Sequence, residues 1–489
     1  IAAISAIAST VAAPPFCGGV GGFVRSGCIL TPGADGFQNN RYWGVSATVE
    51  GDLGFAKLAV IPAYRKTNAD YRTYLPGFLG RITDNAEQTS IEVRLSSHDD
   101  QKLRYVMGLF YFNEDQNADN YFAQGNLSTT RFTPQLSTTS KAIFGQLTYD
   151  LAPKLRVVAG GRYTKENKSQ VTSSAAGGLP AVINPPLGAS FTGDLSFEKF
   201  TWKAGLEWDA GPRSLVYANV ATGFKTGGFF VAIPPNNTFA PEQLTAYTLG
   251  TKNRFMGNKL QVNLEAFYWD YKDQQVTFVG GVRAGNGLFA QGGTTVNAGK
   301  SRIYGAELEL QFAPTSTDRF GANIQYLNGK YNSLLTANFS NTGAPLPTGC
   351  TVVGNRLANP GVNNARFYDT DCSGKPTVQS PKWIANMNYE HVFALGGDYD
   401  LVAGARTSLS SSYYLNANFQ ENERQKAFRT SDAYLTLETP GKLWSITGFV
   451  NNLEDKVIFA RAGNRPVLNF SYATLRPPRT YGVRVTHRF

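Results

Sequence analysis

The sequence predicts an all-β protein, specifically a transmembrane antiparallel β-barrel, and three observations support this prediction. First, the 489 residues contain no uninterrupted apolar run long enough to cross a bilayer as a helix. Second, short segments in which apolar and polar residues alternate recur along the chain, and this is the period of β-strands. Third, the connections between these segments alternate between short turns and long polar loops, an asymmetry typical of outer-membrane barrels.

The last eleven residues, 479–489, show the strand pattern most clearly. Their apolar side contains Tyr481, Val483, Val485 and Phe489, whereas the other side is polar and charged. A chain that ends on an aromatic residue directly after such a strand is typical of a barrel whose last strand closes onto its first. We therefore interpret these four residues as a barrel-closure and assembly signal.

Eight hairpins are predicted before this last strand, which makes about seventeen strands in all. Their paired segments are 41–50 with 55–65, 89–97 with 102–114, 141–151 with 154–166, 197–209 with 214–225, 243–255 with 259–271, 303–312 with 319–331, 381–393 with 399–414, and 428–439 with 443–453. Long loops are expected at 67–87, 115–138, 167–193, 226–241, 272–298, 332–380, 415–426 and 454–478. If Phe489 lies at the periplasmic end, every short turn is periplasmic and every long loop is extracellular.

The two faces of the predicted strands differ in polarity. Arg156 and Arg162 share one face of their strand, and Glu307 and Glu309 alternate with leucines in theirs. This pattern suits a lipid-facing exterior and a wet lumen. Arg156 and Arg162 are candidate ligand contacts in that lumen, although such residues also bind a plug or one another across it.

Composition narrows the class of protein further. Aromatic residues make up 13% of the chain, as aromatic girdles at two membrane interfaces require. The net charge of +10 is spread without a Lys/Arg block, which argues against nucleic acid and favours an anionic lipid surface or ligand. The three histidines lie far apart, so the sequence predicts no metal centre, no cofactor and no catalytic site.

The four cysteines form two local pairs in loop-like stretches. Cys17 lies near Cys28, and Cys350 lies near Cys372. Neither pair has metal-binding CxxC spacing, so we predict two disulfides formed in an oxidising compartment, with free thiols as the alternative.

The odd strand count suggests that the sequence is the C-terminal part of a longer protein, because bacterial single-chain barrels have even strand numbers. Residues 1–38 are Gly-rich and are expected to be an extracellular loop with a local disulfide, followed by the barrel at 39–489. A residual signal peptide is the alternative for the apolar start, but no basic segment precedes it.

Several segments resemble the barrel of TonB-dependent outer-membrane receptors, and the resemblance covers nearly all of 41–489. They are NVATGFKTGGFF (219–230), FAPEQLTAYTLGTKNRF (239–255), LQVNLEAFYWDYKDQQV (260–276), NAGKSRIYGAELEL (297–310), SPKWIANMNYEH (380–391), FVNNLEDKV (449–457) and PRTYGVRVTHRF (478–489). The resemblance implies a barrel of about 22 strands plugged by an N-terminal domain. About the last seventeen strands would be present here, and the plug and TonB-contact segment would lie outside this sequence.

The implied function is active import of a scarce, bulky solute through the outer membrane of a Gram-negative bacterium. A ferric siderophore or similar iron chelate is expected, with cobalamin, an oligosaccharide or an aromatic compound as alternatives. TonB, ExbB and ExbD would act through the absent N-terminal region, and the barrel would be monomeric in lipopolysaccharide-containing membrane. Candidate ligand contacts in the loops are Phe278, Phe289, Phe339 and Tyr368.

Two other classes of outer-membrane barrel are alternatives for the same sequence. One is a passive porin or adhesin-like barrel without a plug. It differs from a TonB-dependent receptor in the segment before Ile1, which would be only a signal peptide instead of a plug and a TonB-contact segment. The other is an enzymatic outer-membrane barrel, which requires a nucleophile partner that none of the three histidines has in the sequence.

Overall fold

The computed structural model describes residues 36–75, 78–124, 128–178, 190–230, 237–283, 289–340, 347–357, 366–465 and 470–488. The first nine strands are β1 (Phe37–Ser46), β2 (Val49–Asp52), β3 (Lys57–Leu75), β4 (Phe78–Ser96), β5 (Leu103–Gln124), β6 (Ser128–Ala152), β7 (Leu155–Gly178), β8 (Ser190–Gly211) and β9 (Ser214–Lys225). The next nine are β10 (Gly228–Phe229), β11 (Thr238–Phe239), β12 (Glu242–Phe255), β13 (Leu260–Arg283), β14 (Phe289–Phe312), β15 (Asp318–Ser333), β16 (Leu335–Ser340), β17 (Thr351–Leu357) and β18 (Arg366–Asp371). The last nine are β19 (Trp383–Leu395), β20 (Tyr399–Ser410), β21 (Tyr413–Tyr414), β22 (Arg424–Gln425), β23 (Phe428–Glu438), β24 (Trp444–Asn451), β25 (Phe459–Arg465), β26 (Phe470–Leu475) and β27 (Thr480–His487).

Eighteen of these strands form one antiparallel sheet in which neighbours along the chain are neighbours in space. β1 and β2 both pair with β3, and they do so along successive parts of its length. They therefore occupy one strand position, and the sheet has seventeen strand positions. Within the described part of the chain, the first position and β27 are its two edges. The predicted number of strands and the order of all eight hairpins are therefore confirmed.

The predicted short turns are also confirmed, and tight backbone geometry explains their length. Gly54 has a φ of +84° between β2 and β3, and its N–H donates to Asp52 Oδ1 at 2.8 Å. Two of the turns contain one-turn 3₁₀ helices, at Met256–Asn258 and Pro440–Lys442. A third lies at Glu421–Glu423 in a long connection. Within the described ranges, no helix is long and apolar enough to cross a bilayer.

The prediction of long loops at 67–87, 115–138 and 272–298 was wrong over most of their length. Hairpins β3–β4, β5–β6 and β13–β14 continue as paired strands almost to their tips. These extensions carry polar residues on both faces, as the Arg131–Asp119 ion pair illustrates. With both faces hydrated, the apolar–polar alternation that marks a strand in the sequence is lost. The loop expected at 167–193 is likewise shortened by β7.

The remaining long connections contain small sheets of their own. β16, β18 and β17 form one in 332–380, and the pairs β10–β11, β21–β22 and β25–β26 form three others. A buried apolar cluster lies between these connections and the strand ends. Its members are Val276, Ala298, Tyr331, Leu334, Cys372, Ala417 and Phe419. We call this group the outer cluster.

One of the two predicted disulfides is confirmed. Cys350 and Cys372 are bonded, and Cys372 belongs to the outer cluster. The bond links the start of β17 to the end of β18, so it closes the small three-stranded sheet. Cys17 and Cys28 lie outside the described residues, as does most of the predicted loop at 1–38.

One face of the large sheet is apolar although it is exposed. Ten of its residues, each at least 48% exposed, are Leu109, Ile143, Phe200, Leu206, Leu249, Leu264, Leu435, Ile446, Val483 and Val485. Tryptophans at strand ends, such as Trp208 and Trp444, share this face. So continuous an apolar surface is unsuited to water and matches a lipid-facing exterior. Tyr481 also belongs to it, whereas Phe489 is outside the described residues.

Candidate functional site

The opposite face of the sheet carries most of the charged side chains and is called the polar wall here. Cross-strand partners share a face, so the registers define it. Arg156 lies opposite Glu207, and Glu265 lies opposite Glu307. Glu309 follows two residues after Glu307 and has the same orientation. The predicted placement of these arginines and glutamates on one face is thus confirmed.

Two rows on the polar wall repeat the same arrangement of tyrosine, glycine and glutamate. Tyr217 on β9 lies opposite Gly250 on β12, which lies opposite Glu265 on β13. The tyrosine ring lies across the glycine, and its hydroxyl donates to Glu265 Oε2 at 2.6 Å. Only glycine leaves room for this, because a Cβ on Gly250 would overlap the ring.

The second row runs across strands β23, β20 and β19. Tyr434 lies across Gly404 and donates to Glu390 Oε2 at 2.6 Å. In each row a tyrosine therefore bridges three strands and holds a glutamate flat against the wall. The sequence shows the alternating pattern of these strands, but not that these six residues meet, because the register between strands decides it.

An acidic patch begins at the glutamate of the first row and extends onto β14. It consists of Glu265, Glu307 and Glu309, whose hydrogen-bond donors are uncharged. Gln325 Nε2 donates to Glu307 at 2.6 Å, and Asn263 Nδ2 donates to Glu309 at 2.9 Å. None of the three glutamates forms an ion pair with a described lysine or arginine. Like charges directly opposite each other are unfavourable, so this patch favours a cationic partner.

The two arginines that were predicted as ligand contacts have different surroundings. Arg156 is already bound, because its Nε donates to Glu207 Oε2 at 3.0 Å and its Nη2 to Asp209 Oδ1 at 2.8 Å. Arg162 lies half-buried among the rings of Phe110 and Phe144, without a carboxylate partner among the described residues. The structure thus leaves the second arginine as the more available of the two.

The loop aromatics lie at separate places, and their role in ligand binding stays a prediction. Phe278 is half-buried on β13, and Tyr368 is 5% exposed within the small sheet of β16, β18 and β17. The backbone of Phe289 begins β14, and that of Phe339 lies opposite Phe367. The side chains of Phe289 and Phe339 are outside the described set.

A buried carboxylate lies in the connection that contains the 3₁₀ turn Glu421–Glu423. Glu423 is fully buried, and neither of its carboxylate oxygens has a hydrogen-bond partner among the described residues. Burial raises the pKa of this carboxyl to about 7. Its backbone carbonyl accepts from Leu415 N–H at 3.0 Å, which joins the two sides of the connection. No group of three or more His, Cys, Asp or Glu residues in the described ranges could hold a metal ion.

An antiparallel sheet of seventeen positions with an apolar exposed face and a polar wall defines the wall of a membrane β-barrel. The family model described as TonB dependent receptor-like, beta-barrel matches residues 22–453. The chain belongs to this family.

Solved structures of two receptors and one transporter have the same fold. The ferric yersiniabactin uptake receptor FyuA from Yersinia pestis is 15% identical with a TM-score of 0.73, covering 94% of this chain and 63% of that one. The siderophore receptor PiuA from Acinetobacter baumannii is 18% identical with a TM-score of 0.68, covering 92% and 64%. The copper transporter OprC is 13% identical with a TM-score of 0.64, covering 92% and 66%. The chain spans just under two thirds of the length of these structures.

Proposed function

We propose that this chain forms the barrel wall of a TonB-dependent active transporter that imports a scarce, bulky solute across the outer membrane. The observation that carries the proposal is the acidic patch of Glu265, Glu307 and Glu309. These three carboxylates face the lumen and form no ion pair with a described lysine or arginine. They therefore favour a positively charged partner inside the barrel. A plug domain in the lumen is such a partner, and TonB with ExbB and ExbD would act on it.

The proposed solute is a ferric siderophore or a similar iron chelate. Of the three similar structures described above, one is named for uptake of ferric yersiniabactin, one is a siderophore receptor and one is a copper transporter. The net charge of +10 adds support for an anionic chelate. The full protein would have about 22 strands and would work as a monomer among lipopolysaccharide molecules in a Gram-negative outer membrane.

Uptake of radiolabelled iron tests the proposal in cells that carry the full-length gene. The strain is grown under iron limitation with a mixture of siderophores, with and without TonB. We expect gene-dependent uptake that disappears when TonB is removed, because the barrel has no energy source of its own. Uptake that persists without TonB would identify a passive barrel instead, and gene-independent uptake would remove iron chelates from the proposal.

A matched pair of variants tests the role of the acidic patch. Glu307→Gln removes one carboxylate from the patch, whereas Glu50→Gln removes one from the exposed turn-side strand β2. We expect reduced energised uptake only for Glu307→Gln. Equal uptake by both variants would show that the patch has no part in transport.

A further inference from the structure

A group of cations lies on the apolar, outward face of the sheet, on β13, β14, β15 and the start of β19. We call it the basic patch, and its members are Lys272, Lys300, Arg302, Lys330 and Lys382, all with exposed side chains. Lys272 lies directly opposite Lys300, and Arg302 lies directly opposite Lys330. Like charges in directly opposite positions are destabilising, so both pairs favour a bound anion.

The order of side chains along the strands places the basic patch at the level of lipid head groups. On β13 the outward face carries, moving away from the short turn, Leu264, Tyr268 and Lys272. Each of them directly faces a residue of the same type on β14, namely Leu308, Tyr304 and Lys300. Tyrosines mark the interface between the hydrocarbon and the head groups of a membrane. The cations beyond them therefore lie among the head groups of the leaflet on the side of the long connections.

The patch contains one acidic side chain, and this residue does not neutralise it. Asp270 lies directly opposite Arg302 on the same face. Within the described ranges, however, none of the five cations of the patch forms an ion pair. Lys382 Nζ lies 5.8 Å from the ring centre of Tyr326, and an aromatic face attracts an ammonium group without neutralising it. The patch as a whole therefore stays cationic.

Two other lysines on the outward face are already paired. Lys66 on β3 binds Glu87 at 2.6 Å, and Lys165 on β7 binds Glu198 at 2.7 Å. Each of these lysines lies two residues beyond a tyrosine of its own strand, as Arg302 does. The same level of the wall thus carries paired lysines on one side and unpaired cations on the other.

The strands of the basic patch continue directly into the outer cluster. Tyr331 belongs to that cluster and follows Lys330, and Ala298 lies two residues beyond Lys300. The backbone N–H of Tyr331 donates to Lys375 O at 3.0 Å, which ties β15 to the long connection that follows it. Repulsion within the patch therefore acts at the base of the outer cluster.

We propose that the basic patch binds the phosphate groups of lipid A, the membrane anchor of lipopolysaccharide, and that the bound lipid stabilises the outer cluster. The guanidinium of Arg302 takes one phosphate as a fork, and the lysines act as point charges for the second. These side chains replace the divalent cations that otherwise bridge lipid A phosphates, and the acyl chains lie along the apolar surface below the tyrosines. The inference goes beyond the proposed function, because it concerns the outward face and requires neither a solute nor TonB.

Native mass spectrometry of the full-length protein in detergent, titrated with lipid A, tests the site. EDTA is present throughout, so that divalent cations cannot bridge the phosphates. The double variant Arg302→Gln with Lys330→Gln is expected to bind lipid A about tenfold or more weakly, because one of the two like-charged pairs is gone. Heat-modifiable migration on a gel checks that each variant is folded.

The matched control is the double variant Lys66→Gln with Lys165→Gln, which removes two cations of the outward face that glutamates already occupy. We expect this variant to bind lipid A within about twofold of the wild type. Equal affinity of the wild type and the Arg302 and Lys330 variant, or an equal loss in the control, would overturn the proposal. Lipid A without its phosphates that binds as tightly would show that only the acyl chains are recognised.

Amide hydrogen exchange of Tyr331 tests the effect of the lipid on the outer cluster. Lipid A should raise the protection of this amide in the wild type and leave it unchanged in the variant of Arg302 and Lys330, because the repulsion at the base is then no longer relieved by phosphate. Unchanged protection in the wild type would refute the stabilising role. Inorganic phosphate that protects Tyr331 as well as lipid A does would overturn the lipid assignment.

Discussion

The tyrosine–glycine–glutamate row on strands β9, β12 and β13 leads to a sharp prediction. Gly250→Ala places a methyl group where the ring of Tyr217 lies, so the ring must move away from the wall. Movement of the ring breaks its hydrogen bond to Glu265. Overpacking costs about 1–3 kcal/mol, and loss of a hydrogen bond to a charged group costs about 1.5–3 kcal/mol.

These two costs do not add in full at this site. Glu265 is only half-buried on the polar wall, so water replaces part of the lost hydrogen bond. We therefore expect Gly250→Ala to lower the free energy of unfolding by about 2–4 kcal/mol. Tyr217→Phe keeps the ring over Gly250 and removes only the hydroxyl, so it should cost about 1–2 kcal/mol.

Urea unfolding of the full-length protein in lipid vesicles, followed by tryptophan fluorescence, measures these changes. Gly223→Ala is the control, because Gly223 lies on the same strand and face as Tyr217 and an added Cβ there meets no atom within 4 Å. This control should change stability by less than about 0.5 kcal/mol.

A double-mutant cycle isolates the contact between glycine and tyrosine. In a Tyr217→Ala background the ring is gone, so Gly250→Ala should become nearly neutral. An unchanged cost in that background, or equal costs for Gly250→Ala and Gly223→Ala, would refute the reasoning.

Two further predictions concern the outer connections. The pKa of Glu423 is raised from 4.5 to about 7, so its protonated form is favoured in the folded state and stability is lost as pH rises from about 4.5 to 7. Above pH 7 the loss amounts to about 3 kcal/mol. The protection factor of the Leu415 amide, which is corrected for the intrinsic pH dependence of exchange, should fall over this pH range in the wild type and stay constant in Glu423→Gln. A pH slope of the protection factor that survives the substitution would contradict the assignment. Replacing Cys350 and Cys372 with serine should destabilise the small sheet by about 3 kcal/mol, since the disulfide closes a 22-residue separation. Faster protease cleavage within 334–382 measures this change, and cleavage at the wild-type rate would count against it.

Strand positions were predictable from sequence wherever one face of a strand is apolar. The segments 303–312 and 319–331 alternate clearly, and they correspond to the paired ends of β14 and β15. The hairpin tip at 115–138 was missed because neither of its faces is apolar. Local composition thus identifies a strand only where its two faces meet different surroundings.

The sequence by itself determined the order of the hairpins, the short turns, the two faces and the Cys350–Cys372 pair, because these depend on alternation and on short separations along the chain. Only the tertiary structure decided which side chains meet across strands. In the structure, Arg156 forms an ion pair with Asp209, whereas Arg162 lies between two aromatic rings. The alternating sequence pattern does not distinguish these two arginines. The physical reason is register: a slip of one residue would reverse the faces and exchange every cross-strand partner, and partners such as Tyr217 and Glu265 come from segments far apart in the chain.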